Sequence, residues 1–275
     1  MEFIYDVSFE LAGTDGLIFE DEIEIFDFRL KSVTDAISKN KIIGYTTIKL
    51  DKDDYRLAKE EALRKIQQEL LPYLILKSQT GYRIESIHVK PKPIVKKKGK
   101  ETIVEVRNYV IAKNEVHAFQ IIPEENFTDF LQKLQSYKDK IEKLNVDDRR
   151  DLLRAIKFWN RGATDTDAID KFINFFIAFE IIGKNLVSSW KKDDEGFDPE
   201  KEWTNVLREA CEKEYGLRFY YGGKTASTIR AGILHYRTEK ISKEEAEELA
   251  NKYADRFGAD VLNLIVKFIE EKSKS

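Results

Sequence analysis

The chain has 275 residues, 35% of them charged and 42% hydrophobic, with a formal net charge of −3. That length accommodates two modest domains with their own cores, and the composition excludes a disordered chain and a uniformly basic nucleic-acid coat. A single cysteine, Cys211, excludes an intramolecular disulfide and suits a cytoplasmic protein.

Met1–Asp6 lacks the charged and apolar regions of a secretory signal, so none is expected. Phe3, Tyr5, Val7, Phe9 and Leu11 alternate with other residues, the period-two mark of a half-buried strand. Gly13–Gly16 predicts a turn. Ile23, Ile25, Phe26, Phe28 and Leu30 change phase between 25 and 26, which predicts a second strand with a bulge. Ile42–Leu50 reads as a further strand. Asp51–Asp54 then opens a helix with Tyr55, Ala58, Ala62, Leu63, Ile66 and Leu70 on its apolar face, and Pro72 is expected to end it. Arg83–Pro93 and Thr102–Ile111 flank a lysine-rich tip, a predicted hairpin, and Glu115–Ile122 looks like a last strand. Residues 1–123 are therefore predicted to be an α+β domain, a mainly antiparallel sheet with one helix on it.

Pro123 marks the expected hinge, and residues 124–275 read as a helical bundle. Phe127, Phe130, Leu131, Leu134, Tyr137, Ile141 and Leu144 form a helical stripe. A second helix is expected to begin at Asp147 or Asp148 and to stop at a C-terminal Gly162; Thr164 or Asp165 would cap the next. Phe172–Gly183 is apolar nearly all round, which predicts the central buried helix and is too short a run to span a bilayer. Leu217–Tyr221 is a short strand candidate. Asp198 and Pro199 open a further helix, and Ser242 and Glu245 form a capping box for the last one.

Three elements in the second half carry a resemblance: Leu153–Gly162, with its aromatics and terminal Arg-Gly; Ala168–Gly183, with Asp170 and Glu180 among aromatics; and Arg230-x4-His235. In this order they resemble the HEPN domain of the Apea-like type, over roughly residues 148–272. The resemblance implies a helical bundle, usually homodimeric, acting on RNA as a metal-independent endoribonuclease whose Arg230 and His235 form the active site. Glu180, a carboxylate on an apolar helix face, is read as a candidate orienting group for them. Active members often carry Asn, Asp or His after the arginine, whereas this chain has Ala231. A noncatalytic RNA- or protein-binding module, or a defence or toxin protein restrained by an unidentified partner, are the rival expectations.

On an ideal helix Arg230 and His235 lie about 140° apart around the axis, so they do not share a face. Either the flexible Arg230 reaches around the helix to His235, or two subunits each contribute across a two-fold axis and form a composite site. Their alternative roles are a surface ion-pair former and a packing residue. Glu180 shares a face with Ile173, Phe176 and Ile177 and needs a cation partner there, Arg230 or another from the bundle. A structural ion pair would serve it equally.

For nucleic-acid contacts the candidates are Lys90, Lys92, Lys96, Lys97, Lys98 and Lys100 of the basic hairpin, together with Arg218 and Tyr221; solvation, protection of a sheet edge and core packing are their alternatives. Gly222-Gly-Lys-Thr225 ends like a phosphate-binding loop, but Arg218 stands where the first glycine is needed. His88, His117, His235 and Cys211 have no metal-ligand spacing, so neither a metal nor a cofactor is expected.

Overall fold

A computed structural model of the chain describes residues 2–13, 16–18, 22–33, 41–92, 94–98, 101–105, 119–121, 127–191, 198–235 and 240–274. The chain forms an α+β fold, an antiparallel sheet followed mostly by helices. It divides into two compact units, one of residues 1–74 and 82–132, the other of residues 75–81 and 133–275.

In the first unit β1 (Phe3–Gly13), β3 (Ile23–Ile25), β4 (Phe28–Val33), β5 (Lys41–Leu50) and β6 (Tyr82–Pro91) form a sheet in the order β3-β4-β5-β1-β6. The alternation along β1 holds from Tyr5 to Leu11: Tyr5, Val7, Phe9 and Leu11 are buried, while Asp6 is exposed and Ser8 and Glu10 are partly so; Phe3 is only partly buried, and Ala12 is buried as well. Their cross-strand partners on β5 follow the same division, with Ile42, Gly44, Thr46 and Ile48 inward and Tyr45, Thr47 and Lys49 outward. Gly44 is required at its place, because a Cβ there would lie 2.0 Å from the Phe9 ring of the neighbouring strand.

Two expectations in this unit are corrected. The phase change after Ile25 is a two-residue turn, since β3 and β4 pair as a hairpin with Ile25 opposite Phe28. Phe26 takes a left-handed φ of 57°, and its ring is held 4.9 Å from that of Tyr73 in a T-shaped contact, which offsets the strain of that backbone. Pro72 does not end the helix. Asp54 caps α1 (Tyr55–Lys65) through Leu57 N–H, a π turn follows over Ile66–Leu70, and α2 (Leu71–Ser78) contains Pro72 at its second position. The wider turn, closed by Leu71 N–H to the Ile66 carbonyl, resets the ladder immediately before the proline, so the missing N–H falls where a helix tolerates it.

Beyond the main sheet, β2 (Gly16–Ile18) pairs in parallel with β9 (Phe119–Ile121), and β7 (Ile94–Lys98) pairs with β8 (Glu101–Glu105). The lysine-bearing hairpin is therefore β7–β8, whereas β6 pairs with β1. The rest of the predicted runs 102–111 and 115–122 lies outside the described residues.

The second unit is helical. It takes in the end of α3 (Phe127–Glu142), then α4 (Val146–Thr164), α5 (Ala168–Trp190), α6 (Pro199–Ala210), α7 (Ala226–Leu234) and α8 (Lys243–Lys272). Helix α5 is central, touching α4, α6, α7 and α8, and buries Phe172, Phe175, Phe176, Phe179 and Ile182 among others. At 23 residues it outruns the apolar segment seen in sequence and is long and apolar enough to cross a membrane, yet half of its apolar window is buried inside the bundle.

Gly162 is not a helix terminator. It lies inside α4, which ends at Thr164, and Asp167 rather than Thr164 or Asp165 caps α5. Its role is close packing: a Cβ at Gly162 would come 2.8 Å from the Phe175 ring, and one at Gly258 of α8 would come 2.5 Å from it. The Phe175 ring is thus wedged between two glycine surfaces, beside Trp159, whose Nε1–H donates to the Gly258 carbonyl at 2.7 Å.

Candidate functional site

Thr225 caps α7 by accepting from Thr228 N–H, and the helix runs through Arg230 to Leu234. Gly232 presses α7 onto the start of α8, where a Cβ would meet Ala246 at 2.6 Å and Ile241 at 2.7 Å. His235 still donates its N–H to the Ala231 carbonyl at 2.8 Å, but its own backbone is extended, with φ −112° and ψ 122°. The chain leaves the helix at His235, so its side chain is not bound to the ideal-helix angle from Arg230. His235 is exposed, and residues 236–239 lie outside the described residues.

Arg230 is partly buried, with its guanidinium carbon 5.5 Å from the centre of the Phe176 ring on α5. This cation–π contact places the charge over an apolar surface while leaving its hydrogen-bond donors unclaimed by any carboxylate among the described residues. Glu180 stands one turn beyond Phe176. It forms an ion pair with Lys184 at 3.1 Å on the same helix and none with Arg230. The bundle cation that satisfies Glu180 is thus a neighbour in sequence. No contact joins Glu180 to His235 among the described residues.

Glu180 and Lys184 line a groove of about 760 Å³ between α4, α5 and the end of α8, with Asp151, Arg154, Asn185 and Lys272. At its edge is a polar cluster that sequence reasoning missed. Asp148 is 7% exposed and accepts from Asn145 Nδ2 at 2.7 Å and from Asn185 Nδ2 at 3.0 Å, with Lys272 Nζ at 3.4 Å. The same Asn185 amide reaches Asp151 at 3.3 Å. Every partner of this buried carboxylate is charged or amide, the arrangement burial demands. Asn185, polar within an apolar helix, was its one trace in the sequence.

The predicted nucleic-acid contacts are distributed differently. Tyr221 is buried and donates its hydroxyl to Asp260 at 2.8 Å, so it has no free face for a base. Burial holds the Tyr221 hydroxyl far above its ordinary pKa, aided by the Asp260 charge. Burial also raises the Asp260 carboxyl, against the opposing pull of the Tyr221 hydrogen bond and Arg256. The exposed aromatic of this pair is Tyr220, which meets Arg208 instead. Arg218 is exposed and paired with Glu212 at 3.0 Å. Lys96, Lys97 and Lys98 occupy β7, opposite Ile103, Thr102 and Glu101; their side chains and all of Lys100 lie outside the described residues.

Gly222 and Gly223 have φ of 58° and 82° and form the turn of a small hairpin between β10 (Tyr220–Tyr221) and β11 (Lys224–Thr225). Lys224 is occupied by the Lys240 carbonyl and Glu245, so this segment is a hairpin and a helix cap and not a phosphate cradle. Among the described residues no three His, Cys, Asp or Glu side chains gather closely enough to hold a metal ion.

No family model, curated protein or solved structure matches the chain.

Proposed function

We propose that the helical unit is a HEPN-like module of the Apea-like type that binds RNA as a homodimer and cleaves it without a metal. The observation that carries this reading is the state of the Arg230–His235 motif: an arginine that no described carboxylate engages, followed by a solvent-exposed histidine at the helix end. In the reaction, His235 removes the proton of a ribose 2′-OH, the 2′-oxygen attacks the adjacent phosphorus, and the 5′-oxygen leaves and is protonated by solvent. Arg230 stabilises the charge that builds on the phosphoryl oxygens. The products are a 2′,3′-cyclic phosphate and a 5′-hydroxyl. DNA, without the 2′-OH, is not a substrate.

Support for a dimer comes from α5, where Ile169, Ile173, Ile177 and Ile181 recur every four residues and are each only partly buried. Leu234, beside His235, is 49% exposed. A two-fold axis near these residues would cover apolar surface and unite two motifs. Light scattering at micromolar concentration should report twice the chain mass, and RNA cleavage should continue in EDTA with cyclic phosphate ends. A monomer, or activity that the chelator abolishes, contradicts the proposal.

A second reading, a noncatalytic RNA- or protein-binding module, is favoured by two observations. Ala231 stands where a polar residue is frequent in active members, and Glu180 is engaged by Lys184, leaving His235 without an orienting carboxylate among the described residues. RNA binding without cleavage would select it.

A further inference from the structure

The sheet of the first unit has one face in the core; the other is open around Tyr45 and covered toward the Gly13 end, where Ala12 and Lys41 are buried. Across the open face a single cross-strand row reads Arg29 on β4, Tyr45 on β5, Ser8 on β1 and His88 on β6. Arg29, Tyr45 and His88 are exposed, and the small Ser8 between the two rings leaves room above the sheet. Beside Tyr45 lies a cavity of about 400 Å³, bordered by Arg29, Asp6, Thr47 and Lys92 and by Asp27 at the turn. Both carboxylates there are balanced, Asp6 by Lys92 at 3.2 Å and Asp27 by Lys65. Two further exposed lysines on this face, Lys31 on β4 and Lys90 on β6, have no ion pair among the described residues.

We infer that this open face binds single-stranded nucleic acid, with one base stacked on Tyr45 in the cavity and flanking phosphates on Arg29, Lys31 and Lys90. The cavity has the volume of a small-ligand site. Its contents suit a base: an aromatic ring 37% exposed, a guanidinium lying over that ring at 5.8 Å and forming an exposed ion pair with Glu22 at 3.5 Å, and carboxylate oxygens able to accept from ring amino groups. A protein partner is disfavoured because the exposed part of this face sets one aromatic, Tyr45, among charged side chains, and its other described large apolar residues, Ile4, Ile43 and Val33, are each half-buried, where a stable protein interface needs a larger exposed apolar centre. A free mononucleotide is disfavoured by spacing. Lys31 and Lys90 stand on strands three intervals apart, about 14 Å, which one phosphate cannot bridge and a strand crossing the sheet can. Stacking and phosphate contacts do not read the 2′-OH, so the face takes DNA as well as RNA. This inference does not depend on cleavage by the second unit.

Fluorescence anisotropy of the full chain with a labelled single-stranded DNA of about 12 nucleotides tests it, since DNA lacks the group needed for the proposed cleavage. Wild type should bind at about 50 mM salt and weaken steeply as salt rises. Tyr45→Ala should weaken binding by about tenfold, Tyr45→Phe should retain it, and the double variant Lys31→Gln/Lys90→Gln should flatten the salt dependence. These positions are exposed, and unchanged circular dichroism and thermal midpoint confirm that each variant folds. Absence of binding by wild type, or binding indifferent to Tyr45→Ala, overturns the inference. Adenosine monophosphate binding as tightly as the strand overturns the assignment to a strand.

Discussion

Gly258→Ala is the most exacting test of how the bundle is packed. A Cβ at this position would lie 2.5 Å from two atoms of the Phe175 ring, about 1 Å short of ordinary contact. The ring has nowhere to retreat, because Gly162 approaches it on α4 and Trp159 stands 5.8 Å away, its indole fixed to the Gly258 carbonyl. Overpacking of a close-packed core costs about 1–3 kcal/mol. Replacing a mid-helix glycine by alanine returns up to about 1 kcal/mol of helix propensity. The net expectation is a loss of about 1–2 kcal/mol, which at about 2–4 °C per kcal/mol lowers the thermal midpoint by roughly 2–8 °C. Calorimetry or urea unfolding reads the change. Phe175→Leu in the same background should recover part of it, because the smaller side chain makes room for the methyl group, and a double-mutant cycle isolates that coupling. A Gly258→Ala protein that is more stable than wild type would show that only helix propensity operates and that the wedge is not tight.

Other outcomes follow from the polar clusters. Lys272→Met should destabilise by about 1–3 kcal/mol in urea unfolding, because the buried Asp148 carboxylate loses one of its donors, and adding Asp148→Asn should restore part of the loss. Burial holds the Asp260 carboxyl above its unfolded value, so folding favours the protonated form; its contribution is present below about pH 4 and is lost as pH rises through the raised folded value. Asp260→Asn should therefore remove that fall, and thermal midpoints across the acid range should separate the two proteins. Arg230→Ala should weaken RNA binding as well as cleavage, since the guanidinium meets phosphate in the ground state too, and filter binding with uncleaved RNA reads the first effect alone.

Elements governed by local periodicity and local caps were legible in the sequence. The odd residues of β1 face the core because alternation alone sorts them, and Asp54 and Ser242 cap their helices through neighbours three residues on. Features that depend on distant partners were not. A glycine two residues before a helix end reads as a terminator until Phe175 is known to press on it. Phe26 gave no turn signal, since its left-handed backbone is held by Tyr73, far along the chain. Pro72 is tolerated only because a π turn precedes it. In the candidate site, the five-residue spacing of Arg230 and His235 was visible, whereas the partner of each charge was not. Arg230 meets the Phe176 ring, Glu180 meets Lys184, and Asp148, Asn185 and Lys272 converge from three helices that no spacing rule connects.

The most direct test of the functional account is the rate of cleavage of a single-stranded RNA in EDTA by wild type and by His235→Ala. A positioned proton-transfer group contributes about 10²–10⁴-fold. The account predicts cleavage by wild type to 2′,3′-cyclic phosphate ends, a fall of that order in His235→Ala, and nearly unchanged RNA affinity. Cleavage that is indifferent to His235→Ala would place the active site elsewhere, and a wild-type protein that binds RNA and leaves it intact would contradict the catalytic claim.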